Sequence, residues 1–422
     1  MLSRPPASAE ATQQAAPPVP PGRASALIAV LGALTAVAPL ATDMYVPGFP
    51  SMGAALHASG SAVQLTLTAF LVGMVVGQLL IGPVSDGWGR RRLLIAGAGG
   101  FVAFSLLCAV APNVELLTAA RFLQGFAGAA GMVLARAVIT DCFHGADVPR
   151  YFALLSQILG IAPIAAPVVG GAVLSVSTWR AVFVVLAVIG VLLSAAVVRY
   201  VPETLPPERR HSGGLSGTFR TMGTLLTHRA FMGYVLVLGF TSAALFAYIS
   251  GSSFVFQNVH GVSPAVYSLI FASNAVGMLI GGVTFARFAG RAGLNRLLVI
   301  GLAVSGAGAL ALLVIPALAG QSLAVSWICL FVAMSGVALI FPSTMSIGQN
   351  LGRRAPGAAS ALIGGLQFLF GAAASLLVGL FGEDTATPMA VIMLAALALA
   401  GLALVLLARP WRAHGEAGAD RS

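Results

Sequence analysis

A single carboxylate, Asp43, stands near the end of the first long apolar stretch of this chain, in the segment ATDMYVPGFP. It follows Ala24 by about 28 Å of helix, which places it in the outer part of a first membrane span. A charge buried in a membrane is costly, so it is a candidate functional group. Burial favours the neutral carboxyl and a nearby cation favours the carboxylate, so Asp43 could exchange a proton for a substrate. The alternative is an ordinary carboxylate at a helix end, in contact with water.

Arg121 is the expected partner of Asp43, because it lies at a comparable depth on another apolar stretch, about 9 Å beyond Glu115. A lone arginine at that depth needs a carboxylate, carbonyl groups or water. Gln124 follows one helical turn later and offers a polar contact. The small residues that would let a neighbouring helix approach closely are Gly125, Gly128 and Gly131. The alternative is an arginine that only packs and extends toward the membrane surface.

Glycines and charges are concentrated in the segment 82–94, GPVSDGWGRRRLL, between two apolar runs. This pattern predicts a tight turn between two membrane helices, and arginines at a helix end are retained on the cytoplasmic side during insertion. A carboxylate in such a turn can pair with an arginine or with a helix N-terminus. The residues assigned to this turn are Gly82, Asp86, Gly89, Arg90 and Arg91. A solvated basic turn that only sets the topology is the alternative.

A pair of prolines one helical turn apart marks another apolar stretch, which reads GIAPIAAPVVGG. Each proline removes a backbone donor, and the glycines leave a flat surface for close packing. The residues of this pattern are Gly160, Pro163, Pro167, Gly170 and Gly171. A helix that is merely kinked is the alternative interpretation.

The elements that carry these residues follow from composition. The chain is 58% hydrophobic and 8% charged, whereas soluble domains are about 25% charged. The runs 230–286 and 297–352 contain no charge, and each is long enough for two spans and a turn. The net charge of +10 does not indicate nucleic-acid binding, because the arginines follow membrane sidedness instead of clustering on one face. Three isolated cysteines predict neither a metal site nor a disulfide framework.

Twelve membrane helices fit the alternation of apolar runs and arginines. All but two of the 22 basic residues, Arg121 and Arg180, fall at one side if both termini are cytoplasmic. The helices are predicted near residues 24–45, 61–83, 93–111, 115–140, 150–175, 180–201, 231–256, 264–286, 294–316, 322–349, 355–381 and 386–408. The chain is thus predicted to consist of a cytoplasmic disordered tail over 1–23, six-helix bundles over 24–201 and 231–408 that are joined by a cytoplasmic linker over 202–230, and a cytoplasmic tail over 409–422. A weak repeat of the 82–94 turn at 282–298 places Ala286 where Asp86 would be.

The turn pattern G-x-x-x-D-x-x-G-R-R resembles the loop between the second and third helices of the major facilitator superfamily. The runs RFLQGFAGAAG and GIAPIAAPVVGG resemble its fourth-helix motif and its antiporter motif. With ATDMYVPGFP, ARAVITD, TWRAVF, PETL and AYISGSSFVF, the chain resembles the bicyclomycin/chloramphenicol-resistance (Bcr/CflA) drug:proton antiporters from about Ala24 to Leu407. Relatives more often have a basic residue before the aspartate of ITD, which weakens a role for Asp141 in a charge relay.

The resemblance implies an all-α fold of twelve transmembrane helices in two six-helix bundles, with the 82–94 turn as a conformational latch and Arg121 in proton coupling. An apolar cavity with a few polar anchors is expected for drugs, although aromatic side chains also pack or face lipid. The candidate lining residues are Tyr45, Gln124, Gln157, Phe246, Tyr248, Phe254, Asn274 and Gln367.

The expected function is proton-coupled export of small amphipathic drugs, such as chloramphenicol, florfenicol or bicyclomycin, across the bacterial cytoplasmic membrane by alternating access. The expected partners are the drug, protons and the lipid bilayer; the proton gradient replaces any cofactor, and a monomer without nucleic acid or metal is expected. A symport or uniport permease for a small organic nutrient is the alternative. An enzyme or receptor is disfavoured, because the sequence contains neither a nucleotide-binding loop nor a metal pattern such as H-E-x-x-H.

Overall fold

The computed structural model describes residues 21–143, 147–206, 210, 215–353, 355–382 and 385–412. Within these ranges the protein is helical and contains no strand. Twelve helices are long and apolar enough to cross a membrane. This confirms the predicted all-α fold and the count of twelve spans. The predicted tails over 1–23 and 409–422 lie largely outside the described residues.

The α-helices are α1 (Pro21–Asp43), α2 (Phe49–Leu56), α3 (Gly60–Trp88), α4 (Arg90–Ala109), α5 (Val114–Cys142), α6 (Asp147–Val176), α7 (Trp179–Tyr200), α8 (Leu215–Thr227), α9 (Arg229–Phe254), α10 (Pro264–Ala292), α11 (Leu294–Ala319), α12 (Leu323–Leu351), α13 (Pro356–Leu380) and α14 (Thr387–Ala403). A short 3₁₀ segment, Val46–Gly48, joins α1 to α2, and these three elements form the first span, Ala24–Leu56. π-helical segments, Val255–Val259 and Leu404–Ala408, extend α9 and α14.

Successive spans reverse direction, so their connections lie at two ends of the molecule. We call the end that contains the turns at Gly89 and Gly293 the arginine-rich end, and the end that contains the turns at His57 and Pro112 the opposite end. The helix α8 is not a span; it lies within the predicted linker 202–230 and packs its buried Met222 against α9 and α13.

Glycines permit the close packing of the spans, as the stripe on α5 predicts. A Cβ atom at Gly125 would overlap the backbone oxygen of Phe70 in α3, and one at Gly131 would overlap that of Leu34 in α1. The second set of spans repeats the arrangement, because α10 and α11 both pack on α12 as α3 and α4 pack on α5. The two sets meet where α3 packs along α13 and α6 packs along α10.

The repeated turn lies in a different register from the one predicted. Gly89 ends α3 with φ 97°, and Gly293 ends α10 with φ 79°, so these two glycines are the structural counterparts. Both positive φ angles favour glycine because a Cβ atom would be strained there. The counterpart of Asp86 is therefore Gly290 and not Ala286, and neither residue supplies a carboxylate.

Candidate functional site

Asp43 is the last residue of α1, and Pro47 explains why the helix ends there. A proline lacks the N–H that would bond to the carbonyl four residues earlier, and its ring would clash with that carbonyl. For Pro47 that carbonyl belongs to Asp43, so the chain leaves the α-helix and continues through the 3₁₀ segment into α2. The first span runs on to Leu56. Asp43 is the twentieth of the 33 residues of this span, so it lies past the midpoint, within the outer part that the sequence indicates.

The Asp43 side chain is 3% exposed. Its Oδ1 accepts a hydrogen bond of 2.8 Å from the Thr42 hydroxyl, and the 3₁₀ segment that follows α1 packs against α9 and α10. Asp43 forms no ion pair within the described residues. A permanent negative charge in such a place is costly. The position suits a carboxyl group that gains and loses a proton at the boundary between the two sets of spans.

Arg121 is completely buried on α5 in a cage of aromatic rings. Its guanidinium carbon lies 4.1 Å from the ring centre of Tyr45, 4.3 Å from that of Phe70 and 5.7 Å from that of Phe183. Its Nη1 donates a 2.5 Å hydrogen bond to the side-chain oxygen of Gln124, while its Nε and Nη2 have no hydrogen-bond partner among the described residues. Cation–π contacts of this kind stabilise a desolvated guanidinium.

The structure does not bring the two predicted partners into contact. The turn after α1 directs Tyr45 toward Arg121, whereas the Asp43 carboxyl accepts from Thr42. The sequence spacing could give the depth of both charges, but it could not show that Tyr45, and not Asp43, faces the guanidinium. Tyr45 and Gln124, predicted as cavity residues, instead surround the guanidinium.

Of the other predicted cavity residues, Tyr248 on α9 and Asn274 on α10 are buried together. Asn274 Nδ2 donates a 3.1 Å hydrogen bond to the Tyr248 hydroxyl, and the Tyr248 ring stacks on Phe271 with the ring centres 5.1 Å apart. Phe246 and Phe254 are also buried, the latter against Phe49 of α2.

Two predicted cavity residues lie outside this buried group. Gln367 on α13 is half-buried. Gln157 is exposed on α6, one turn from the exposed Leu154 and Ile161. Residue type alone did not indicate which side of α6 Gln157 occupies.

The proline pair lies inside α6, and the glycines after it make the close contacts that the pattern predicts. A Cβ atom at Gly170 would overlap the backbone oxygen of Met44, and one at Gly171 would overlap the side chain of Ser268 on α10. By contrast, Gly160 is exposed with open space around it within the described part of the chain. The end of α6 is therefore packed directly on the residue after Asp43. Pro163 and Pro167 are accommodated without ending the helix.

The turn at the arginine-rich end forms a charged network around Arg90. Its guanidinium contacts Asp86 at 2.7 Å and Asp141 at 3.3 Å, and it also bonds to the Ser85 hydroxyl. The Ser85 hydroxyl in turn donates to the carbonyl of Gly82 at 2.6 Å. Arg91 reaches α7 and donates to the Val198 carbonyl at 2.7 Å. These contacts join α3, α5 and α7 at one point.

Sequence reasoning missed half of this network. Asp141, which the unusual ITD sequence led us to discount, pairs with Arg90 and accepts a 2.9 Å hydrogen bond from Thr204. Glu203 accepts from the backbone N–H of Arg90 at 2.9 Å and pairs with Arg210 at 3.8 Å. The signal was present in PETL, where an acid directly follows a membrane helix that ends in arginine and tyrosine.

The described residues form twelve spans in two similar sets of six, with a buried carboxyl between the sets and a charged turn at one end, and this arrangement is typical of secondary transporters. The family model of the Major Facilitator Superfamily matches residues 31–376. The chain therefore belongs to the major facilitator superfamily.

Curated relatives support this membership over most of the chain. An uncharacterized MFS-type transporter of Bacillus subtilis, YdgK, is 42% identical over 90% of this chain and 94% of its own length. A bicyclomycin resistance protein homolog of Haemophilus influenzae is 31% identical over 90% of this chain and 95% of its own. These relatives confirm the resemblance to the drug:proton antiporter family. The xylose transporter XylE from E. coli, solved in a partially occluded inward-open conformation, shares the fold with a TM-score of 0.73 at 15% identity, over 91% of this chain and 97% of that one.

Proposed function

We propose that this protein exports small amphipathic drugs across the bacterial cytoplasmic membrane in exchange for protons. The observation that carries the proposal is Asp43, a buried carboxyl at a break in the first span that forms no ion pair with any residue the structure describes. The contact between Gly170 and Met44 supports antiport, because the antiporter-like end of α6 is packed on the residue next to this carboxyl. The name of the Haemophilus influenzae relative supports a drug as the substrate.

In the proposed cycle, the arginine-rich end and both termini face the cytoplasm. A drug that enters from that side displaces the proton of Asp43, and the proton leaves to the cytoplasm. The two sets of spans then rock against each other and expose the site at the opposite end. The drug leaves, and Asp43 is protonated again from outside. One proton thus moves inward for each carboxyl group that cycles.

Proton movement in inverted vesicles tests this proposal. The vesicles contain the purified protein and a pH-sensitive dye, the lumen is acidic, and chloramphenicol, florfenicol, bicyclomycin and a lipophilic cation are added in turn. We expect at least one compound to make the lumen more alkaline, and Asp43→Asn to abolish the effect. Glu115→Gln is the matched control, because it neutralises an exposed carboxylate at the opposite end of α5.

Two results would contradict the proposal. Proton movement that is unchanged in Asp43→Asn would assign coupling to another group. If no compound moves protons through the parent protein, uptake of small organic acids and sugars becomes the next assay, and the permease alternative replaces export.

A further inference from the structure

Asn274 on α10 is a buried amide with one half unpaired. Its side chain is 1% exposed. Its Nδ2 donates to the Tyr248 hydroxyl at 3.1 Å, but its Oδ1 has no hydrogen-bond partner among the described residues. An unpaired buried acceptor is destabilising because it has lost its hydrogen bonds to water, and folded proteins leave few such groups. This oxygen is therefore suited to a donor that arrives with a ligand.

The surroundings of Asn274 define the ligand that fits. The Tyr248 hydroxyl accepts the hydrogen bond from Asn274, so the unpaired Oδ1 of the amide lies next to a tyrosine. The flat face beside them is aromatic, because the Tyr248 ring stacks on Phe271 at an angle of 22°. The buried cation Arg121 is enclosed by another group of rings, which includes Tyr45. The site thus combines acceptors with an apolar wall.

We propose that Asn274 is a specificity residue that accepts a hydrogen bond from an uncharged donor on the substrate, a hydroxyl or an amide N–H. The aromatic pair Tyr248 and Phe271 contacts the apolar body of the same molecule. Because Asn274 is neutral, this recognition does not require a positive charge on the substrate. An ether oxygen or a fluorine at the same place cannot donate a hydrogen bond, so it would face the Asn274 oxygen as a second acceptor. The inference rests on the proposed function, since it names the substrate class of that site.

Binding of a matched series of compounds tests the role of Asn274. Thiamphenicol offers two hydroxyls and one amide N–H. The other members replace one donor each: the primary hydroxyl by fluorine (florfenicol), the secondary hydroxyl by methoxy, and the amide N–H by N-methyl. Dissociation constants are measured by titration calorimetry on the purified protein. We expect the parent to bind one analogue about 10-fold more weakly than thiamphenicol, the effect of one hydrogen bond to a buried acceptor.

In Asn274→Leu we expect the affinity for thiamphenicol to fall to the affinity for that analogue, so that the ratio of the two dissociation constants approaches one. The affinity of the analogue itself should stay at its parental value, which shows that the variant is folded. Gln321→Leu is the matched control, because it removes an exposed amide in the turn between α11 and α12. A ratio that persists in Asn274→Leu, or a parent that binds all four compounds alike, overturns the inference.

The same proteins in the vesicle assay separate the two proposals. If thiamphenicol moves protons but the binding ratio does not depend on Asn274, the inference fails and export stands. If the ratio depends on Asn274 but no compound moves protons, proton-coupled export fails and the recognition site stands. A parent that binds none of the four compounds overturns the inference, and export then stands or falls with the vesicle assay on bicyclomycin and the lipophilic cation.

Discussion

Asp141 and Asp86 both contact the guanidinium of Arg90, but the structure predicts that they contribute unequally to stability. Arg90 is 12% exposed, Asp141 is 22% exposed, and Asp86 is 50% exposed. Asp141 also accepts the hydrogen bond from Thr204, which joins the chain after α7 to α5. Asp86 is near the end of α3, four residues before Arg90 in α4, so its pair joins only two spans that the turn at Gly89 already connects.

The expected magnitudes follow from this difference in exposure. Exposed ion pairs contribute about 0–1 kcal/mol, and partly buried hydrogen bonds to charged groups contribute about 1.5–3 kcal/mol each. Asp141→Asn keeps the shape but removes the charge, so we expect it to lower the free energy of unfolding by about 2 kcal/mol. Asp86→Asn removes the same charge and should lower it by less than about 1 kcal/mol. Each variant is thus the charge-matched control of the other.

Reversible unfolding in mixed detergent micelles measures both values, and a double-mutant cycle with Arg90→Met isolates the pair energies. Asp141 should couple to Arg90 by more than 1 kcal/mol, about twice the noise of such cycles, and Asp86 by less. The reasoning is refuted if Asp86→Asn is the more damaging variant. It is also refuted if Asp141→Asn costs as much in the Arg90→Met background as in the parent.

Three further perturbations test other parts of the structure. Gly89→Ala should destabilise the protein by about 1–3 kcal/mol because of its φ of 97°. Gly87 has open space around it, so Gly87→Ala should leave the free energy of unfolding unchanged or raise it in the same assay. Equal effects of the two substitutions would contradict this prediction. Gln257→Leu removes a 2.9 Å hydrogen bond to the Pro47 carbonyl. We therefore expect the opposite end to be open about 5-fold more often, as measured by the distance between spin labels on α2 and α9. An unchanged distance distribution would refute this prediction. Burial lowers the pKa of His260 in the folded protein below its ordinary 6.5. As the pH falls, the unfolded chain therefore binds a proton at this histidine before the folded protein does, so the free energy of unfolding should fall below pH 6.5. This loss should be smaller in His260→Gln.

The number of spans could be predicted from the sequence because a bilayer requires apolar helices of a minimum length. The end of the first span was not predictable in the same way. Pro47 ends α1 at Asp43, but the apolar Phe49–Leu56 helix continues the span on the far side of the break. Hydropathy reports that both segments are apolar and does not report whether they form one span or a span and a loop.

The candidate site was predictable where a residue is out of place in an apolar run, and not where its partners are decided by geometry. Asp43 and Arg121 were found because charges inside spans are rare. The structure does not pair them, because Arg121 contacts aromatic rings and Gln124 while Asp43 accepts from Thr42. Asp141 and Glu203 were missed because they lie at helix ends, where acids are ordinary. Only the packing of α3, α5 and α7 brings them to one arginine.

The break in the first span explains how one carboxyl could control distant contacts. Asp43 ends α1, and the carbonyl of Pro47, four residues later, accepts the hydrogen bond from Gln257 that joins the two sets of spans at the opposite end. Between them, the backbone of Met44 touches α6 at Gly170, where no space is left for a Cβ atom. A segment of turn and 3₁₀ structure can change its backbone angles more easily than an α-helix can. We therefore expect a movement that the proposed proton exchange causes at Asp43 to reach both α6 and the contact at the opposite end.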